Sequence, residues 1–178
     1  LHVRSRRQRQ MCIRDSHVTK PELRFPPYSP MYPPKLANTD LFAVVGKHDV
    51  LLHHPFQSFQ PVLEFIRSAA QDPDVVAIKQ TIYRTGMNSD LMESLILAAQ
   101  RGKEVTVVVE LMARFDEEAN INWADRLERA GAQVVYGVVG LKTHAKLALV
   151  IRREAGALRY YAPVSYTHLR AHETSLHL

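Results

Sequence analysis

A histidine and a lysine two residues apart, His144 and Lys146, are the residues best suited to chemistry in this chain. They lie in the stretch Gly140-Leu-Lys-Thr-His-Ala-Lys146, before an apolar run at 147–151 that is typical of a buried strand. Residues i and i+2 of a strand share a face, so both side chains are expected to point the same way. An imidazole is a nucleophile or general base near neutral pH, and a neighbouring ammonium holds an anionic group against it. The alternative is a histidine at a strand start, flanked by lysines that only solvate the edge.

Two arginines occupy matching positions earlier in the chain. Arg84 and Arg114 each follow a predicted strand, and His144 lies in the loop that leaves a third. Arg114 lies 30 positions after Arg84, and His144 lies 30 positions after Arg114, as in a βαβ repeat of about 30 residues. The carboxyl edge of an open α/β sheet is where ligands bind, and guanidinium groups grip phosphate with two hydrogen bonds. The pattern predicts an anion pocket containing a nucleophile. The alternative is that the arginines pair with nearby acidic residues at 116–118.

The elements that would position these residues alternate between strand and helix. Strands are predicted at 75–83, 105–111, 133–136, 144–151 and 157–161, and amphipathic helices at 58–71, between Ser89 and Gly102, and at 117–129. Ser58 and Ser89 are predicted N-caps. This order predicts an α/β fold, an open mixed sheet flanked by helices. The continuous apolar run at 105–111 is typical of a strand covered by helices on both faces.

The region before residue 58 is less regular. Prolines in 17–38 forbid regular strand ladders and indicate an extended connector. Apolar runs at 40–45 and 50–52 flank Gly46-Lys47-His48-Asp49, which predicts a hairpin. His53 and His54 are adjacent, and neighbours in an extended chain point apart, so a loop pair is favoured over a metal site.

Composition and charge exclude several classes of protein. No apolar run approaches the roughly 20 residues of a membrane span, and one cysteine, Cys12, excludes an internal disulfide framework. Residues 1–16 account for +4 of the net charge of +5, so no nucleic-acid partner is inferred. Both ends, 1–16 and 163–178, are interpreted as non-native flanks.

Four stretches together resemble the bacterial polyphosphate kinase family. They are Asp49-Val-Leu-Leu-His-His-Pro-Phe-Gln-Ser-Phe59, Ala77-Ile-Lys-Gln-Thr-Ile-Tyr-Arg84, Val109-Glu-Leu-Met-Ala-Arg-Phe-Asp-Glu-Glu-Ala-Asn-Ile121 and Gly140-Leu-Lys-Thr-His-Ala-Lys146. The resemblance implies that 17–48 is the end of the family's middle domain. It implies that 49–162 is an incomplete first catalytic domain of the phospholipase D-like type.

The resemblance also implies an activity and a set of roles. The family transfers the terminal phosphate of ATP reversibly to inorganic polyphosphate through a phosphohistidine, with ADP as the other product. His144 matches the phosphorylated histidine, and Lys146 the lysine of the His-x-Lys signature. Arg84 and Arg114 match the magnesium–phosphate site, where they would grip phosphate oxygens beside Mg²⁺ rather than bind the ion. A cytoplasmic homo-oligomer, with peripheral membrane association of the full-length enzyme, is expected.

The sequence departs from the family in two places. Met112 stands where lysine is usual, and the Gly-rich nucleotide-contacting segment expected after Ala162 is missing, so the fragment alone is expected to be inactive. A phospholipase D-like phosphodiesterase also uses a His-x-Lys pair, but Ile151 stands where its aspartate is expected. A non-catalytic α/β module that binds phosphate or polyanions is the third alternative.

Overall fold

The computed structural model describes residues 25–26, 28–84, 89–111, 113, 117–137 and 140–165. The chain divides into two units, Leu1–Pro30 and Met31–Leu178. The few described residues of the first unit form no helix or strand. All elements below belong to the second unit. In chain order they are a 3₁₀ turn at Pro34–Leu36, α1 (Leu41–Val45), α2 (Gln60–Gln71), β1 (Val75–Ile82), α3 (Asp90–Gln100), β2 (Glu104–Val109), α4 (Glu117–Arg129), β3 (Gln133–Val135), β4 (Lys146–Glu154), β5 (Ala157–Tyr161) and β6 (Val164–Ser165).

One mixed sheet organises this unit. Its strand order is β3-β2-β1-β4-β5, and β6 pairs with β4. Strands β1, β2 and β3 are parallel, whereas β4 runs antiparallel to both β1 and β5. The parallel strands are joined through helices α3 and α4. This arrangement confirms the predicted open mixed α/β sheet.

The reversal at β4 determines where its first residues lie. Because β4 is antiparallel to β1, it begins at the edge where the parallel strands end. Gln80, near the end of β1, pairs with Ala148, near the start of β4. The loop that enters β4 therefore lies at the carboxyl edge of β1 and β2, the edge at which α/β folds place ligands.

The core lies between the helices and one face of the sheet. Ile78 of β1 pairs with Val105 of β2 and Val150 of β4, and all three are buried. They belong to one apolar cluster with residues of α2, α3 and α4. On the opposite face, the paired residues Lys79, Thr106 and Leu149 are exposed or half-buried. In the described part of the chain, helices therefore cover one face of β2, and not both faces as predicted.

The three long helices confirm the sequence periodicity. Ser89 caps α3 by accepting a hydrogen bond from Met92 N at 3.4 Å, and Gly102 beyond its end has a φ of +78°. That left-handed conformation is one that glycine adopts without steric cost. Helix α2 begins at Gln60, two residues later than predicted, and the Ser58 hydroxyl accepts from Gln60 N at 3.1 Å. The predicted cap residue thus still bonds the first turn.

The predicted hairpin before residue 53 is wrong, because its first run forms helix α1. The Asp40 carboxylate caps this helix by accepting from Phe42 N at 2.9 Å. Leu41 and Phe42 turn into the core, where the Phe42 ring lies 4.8 Å from that of Phe65 and 5.1 Å from that of Tyr161. Capping and burial together outweigh the strand preference of a short apolar run.

An ion-pair network joins β4 to the loop before β1. Arg152 Nε lies 2.8 Å from Asp72 Oδ2, and Arg152 Nη1 lies 2.9 Å from Glu154 Oε1. Only 25%, 16% and 23% of the Arg152, Asp72 and Glu154 side chains, respectively, is exposed. Hydrogen bonds from Tyr161 and then from Arg152 lower the pKa of Glu154. Removal of Arg152 would leave two largely buried carboxylates without this cation.

Replacing Arg152 with methionine is expected to lower the free energy of unfolding by about 2–3 kcal/mol at pH 7, because Asp72 loses its ion pair and Glu154 keeps only Arg159 as a cationic partner among the described residues. The loss should shrink as pH falls through the lowered pKa of Glu154, where the carboxylate takes up a proton. Urea unfolding followed by circular dichroism measures it. The matched control is Arg153→Met, an exposed neighbour, with an expected change within about 0.5 kcal/mol. Equal losses in the two variants would contradict a stabilising role for the network.

Candidate functional site

Three of the four predicted site residues meet around one tyrosine. The ring of Tyr83 lies 5.1 Å from the ring of His144 in an edge-on contact. Lys146 Nζ lies 4.7 Å from the centre of the same ring, and the Arg84 guanidinium carbon lies 5.3 Å from it. Arg114 lies outside the described residues. The described site therefore combines an imidazole with two cations around an aromatic ring.

The prediction that His144 shares a strand face with Lys146 is wrong, because His144 lies two residues before the strand begins. Strand β4 begins at Lys146, so His144 belongs to the loop before it, and its side chain is exposed. The alternation of a strand therefore does not set its direction. Instead, the contacts with Tyr83 hold the histidine and lysine on the same side of the edge. The imidazole is open to a ligand and lies beside two positive charges.

Lys146 is held at the start of β4 by several contacts. Its ammonium donates a hydrogen bond to the carbonyl of His144 and lies over the Tyr83 ring. Burial, and secondly the like charge of Arg84, lower the pKa of Lys146. An ammonium that is partly desolvated in this way interacts more strongly with an arriving anion than a solvated one does.

The loop that carries His144 is anchored on the end of β1. The hydroxyl of Thr81 donates to the carbonyl of Ala145 at 2.5 Å and accepts from the backbone amide of Leu147 at 2.9 Å. The loop backbone on the C-terminal side of His144 is thereby tied to the strand that ends at Ile82, immediately before Tyr83 and Arg84. One strand end thus positions all three groups.

Two buried polar residues lie beneath this edge, and the sequence interpretation did not single them out. Glu110 is 5% exposed, and its carboxylate accepts from the backbone amide of Thr143 at 2.8 Å. Asn120 on α4 is fully buried and donates to the carbonyls of Tyr83 and Glu110, both at 2.9 Å. The available signal was a polar residue within an apolar helix face, and an acid directly after an apolar strand.

Arg84→Gln is expected to raise the pKa of Lys146, because it removes the second of the two influences that lower it. The pKa should stay below the ordinary value, since the burial remains. NMR titration of ¹³C-methylated lysines measures this pKa, with the signal assigned from Lys146→Arg. Arg67→Gln removes the same charge from an exposed site paired with Asp90, and it should leave the Lys146 titration unchanged. A Lys146 pKa that stays constant or falls in Arg84→Gln would contradict the proximity of the two cations.

Comparison with known proteins assigns this chain to a family. The family described as "Polyphosphate kinase C-terminal domain 1" matches residues 40–176, which is more than half of the chain. The chain belongs to the polyphosphate kinase family. The solved structure of polyphosphate kinase from Porphyromonas gingivalis is similar in fold, with a TM-score of 0.65 and 38% identity. The matched region covers 75% of this chain and 22% of the Porphyromonas gingivalis chain.

Curated polyphosphate kinases are similar in sequence over the same region. The protein of Burkholderia multivorans is 62% identical over 137 residues, which are 76% of this chain and 20% of that protein. That of Pseudomonas aeruginosa is 58% identical over 143 residues, or 80% of this chain and 21% of that protein. The chain thus spans about a fifth of the length of these polyphosphate kinases. The predicted domain boundaries at 48/49 and 162/163 stay predictions.

Proposed function

We propose that this chain provides a phosphorylatable histidine of a polyphosphate kinase, which reversibly moves the terminal phosphate of ATP to inorganic polyphosphate. The observation that carries the proposal is the exposed imidazole of His144, held with Lys146 and Arg84 around Tyr83 at the carboxyl edge of the parallel strands. An exposed nucleophile flanked by cations suits transfer of an anionic group. The names of the relatives support polyphosphate as the second substrate.

The reaction takes place in two steps. In the first, a lone pair of neutral His144 forms a nitrogen–phosphorus bond with the γ-phosphorus of ATP, and the bond to the bridging oxygen breaks, so that ADP leaves. In the second, a terminal oxygen of polyphosphate attacks the phosphohistidine, and the nitrogen–phosphorus bond breaks. Arg84 and Lys146 would neutralise charge on the phosphoryl oxygens. Arg114 is proposed to join them on the strength of its sequence position alone.

The described residues do not fit direct coordination of Mg²⁺. Proteins bind this ion through carboxylates together with substrate phosphates. Among the residues whose positions are given, no group of three or more potential ligands is present. Among the described residues, the side chains that meet around Tyr83 with His144 are the cations Arg84 and Lys146. Mg²⁺ is therefore proposed as a component of a magnesium–ATP substrate.

Location and assembly complete the proposal. No helix in the described part of the chain is long and apolar enough to cross a membrane. We propose a cytoplasmic enzyme that acts as a homo-oligomer, with peripheral membrane association when full length. A phosphodiesterase is disfavoured because Ile151, at the position of the expected aspartate, pairs within the sheet with Ala77 and Tyr160.

The test is phosphoryl labelling of a full-length polyphosphate kinase that carries this segment, for example the Burkholderia multivorans enzyme with residues 40–162 exchanged. Incubation with ATP labelled at the γ-phosphate should produce an acid-labile, base-stable label on a histidine, which polyphosphate then discharges. Mass spectrometry of the labelled peptide identifies the residue. A label that is absent, or bound through a serine or carboxylate, would overturn the proposal.

A further inference from the structure

The described part of the chain contains three buried polar or charged side chains, and two of them lie beneath the site. The hydroxyl of Ser94 forms a hydrogen bond within α3, donating to the carbonyl of Asp90 at 2.8 Å. Glu110 and Asn120 instead bond across elements that are far apart in sequence. Buried polar groups that link separate elements fix their relative positions, because loss of one partner leaves the other unsatisfied.

Asn120 links the ends of two parallel strands. Its amide group has two N–H donors, and these bond the carbonyls of Tyr83 and Glu110. Both carbonyls belong to the residue immediately after a strand, β1 in the first case and β2 in the second. The backbone amide of Glu110 also donates to the carbonyl of Ile82 at 2.9 Å. The two chain ends are therefore held together where the ladder between the strands stops.

Two connections lead from this link to His144. Through the backbone of Tyr83, Asn120 fixes the ring that contacts the imidazole and the ammonium of Lys146. Through the backbone of Glu110, it fixes a carboxylate that accepts from the amide of Thr143, the residue before His144. The exposed nucleophile is thus positioned from both sides by groups that are themselves buried.

We propose that Glu110 and Asn120 are positioning residues for His144, which they act on through Thr143 and Tyr83 without contacting the phosphoryl group. The proposal rests on the proposed function, since it assumes that His144 receives the phosphoryl group. In-line attack requires the imidazole nitrogen at a defined place and angle, and displacement by about 1 Å costs roughly a hundredfold in rate. An exposed loop residue keeps that place only if its backbone is anchored.

The test uses four variants of the same full-length enzyme. Glu110→Ala removes the acceptor for Thr143, Glu110→Gln keeps an acceptor oxygen, and Asn120→Ala removes both donors. Ser94→Ala is the matched control, because it also deletes a hydrogen bond of a buried side chain, but one confined to α3. Rapid-quench measurement gives the rate of phosphohistidine formation, steady-state kinetics give kcat and the KM for ATP, and thermal unfolding monitors folding.

The alanine variants of Glu110 and Asn120 are expected to lower the rate of phosphohistidine formation and kcat by about 10- to 100-fold. The KM for ATP should stay within about twofold, because neither residue contacts substrate. Glu110→Gln should recover most of the loss, and Ser94→Ala should leave kcat unchanged. If Asn120→Ala does not fold, the Glu110 pair decides the question.

The outcomes separate this inference from the proposed function. If the variants form phosphohistidine at the normal rate while His144→Ala forms none, the positioning role is wrong and the proposed function stands. If His144→Ala is still labelled, the proposed function fails first. An equal loss in Glu110→Ala and Glu110→Gln would also overturn the inference, since the glutamine preserves the acceptor.

Discussion

Replacement of His144 by alanine is expected to abolish the phosphoenzyme and to lower polyphosphate synthesis by the full-length enzyme by about 10⁴-fold or more, as removal of a covalent nucleophile does elsewhere. The imidazole is an exposed nucleophile at this edge. Its neighbours Lys146 and Arg84 are cations that hold anions without attacking phosphorus. The loss should therefore appear in the first chemical step, with ATP binding largely preserved.

The measurement is a single turnover with ATP labelled at the γ-phosphate, in parallel with steady-state synthesis. His48→Ala is the matched control, because it removes another exposed histidine in the loop after α1. It should retain full labelling and synthesis. Thermal unfolding should be nearly the same for both variants, since each side chain is exposed. An acid-labile phosphoryl group that persists in His144→Ala would show that another residue is the acceptor.

The long elements of this fold were predictable from periodicity. Helices α2, α3 and α4 repeat apolar residues at helical spacing over 11 to 13 residues, and the Ser89 cap of α3 is visible in the sequence. The run at 41–45 is only five residues long and apolar at every position, so it shows no period that distinguishes a helix from a strand. Its burial against Phe65 and Tyr161 decided the outcome, and those partners are distant in sequence.

The chemical groups of the candidate site could be predicted from the sequence, but the hydrogen bonds that hold them in place could not. Equal spacing and the rule for parallel sheets brought Arg84 and His144 to one edge, where the structure has them around Tyr83. The roles of Glu110 and Asn120 depend on hydrogen bonds across 33 and 37 positions. A single sequence contains no record of such pairs. Arg114, outside the described residues, stays a prediction.

Replacement of Arg84 by glutamine has the second largest expected effect, a fall in kcat of about 10³-fold, the lower end of what removal of a phosphoryl-binding arginine costs. The guanidinium lies exposed beside Tyr83, and we expect it to bind two oxygens of the transferring group as negative charge spreads over them. Arg84→Lys keeps the charge but loses the fork geometry, so an intermediate loss is expected. Steady-state kinetics with varied ATP measures both variants.

The division of the loss between kcat and KM tests which state Arg84 stabilises. A rise in KM with unchanged kcat would mean that Arg84 grips bound ATP and the transition state equally, contrary to the expectation. Arg129→Gln, an exposed arginine of α4 paired with Asp125, should change neither constant. The loss in Arg84→Gln is not attributable to neutralisation of Lys146. Removal of Arg84 raises the pKa of that lysine and so favours its charged form, which leaves the missing guanidinium as the cause.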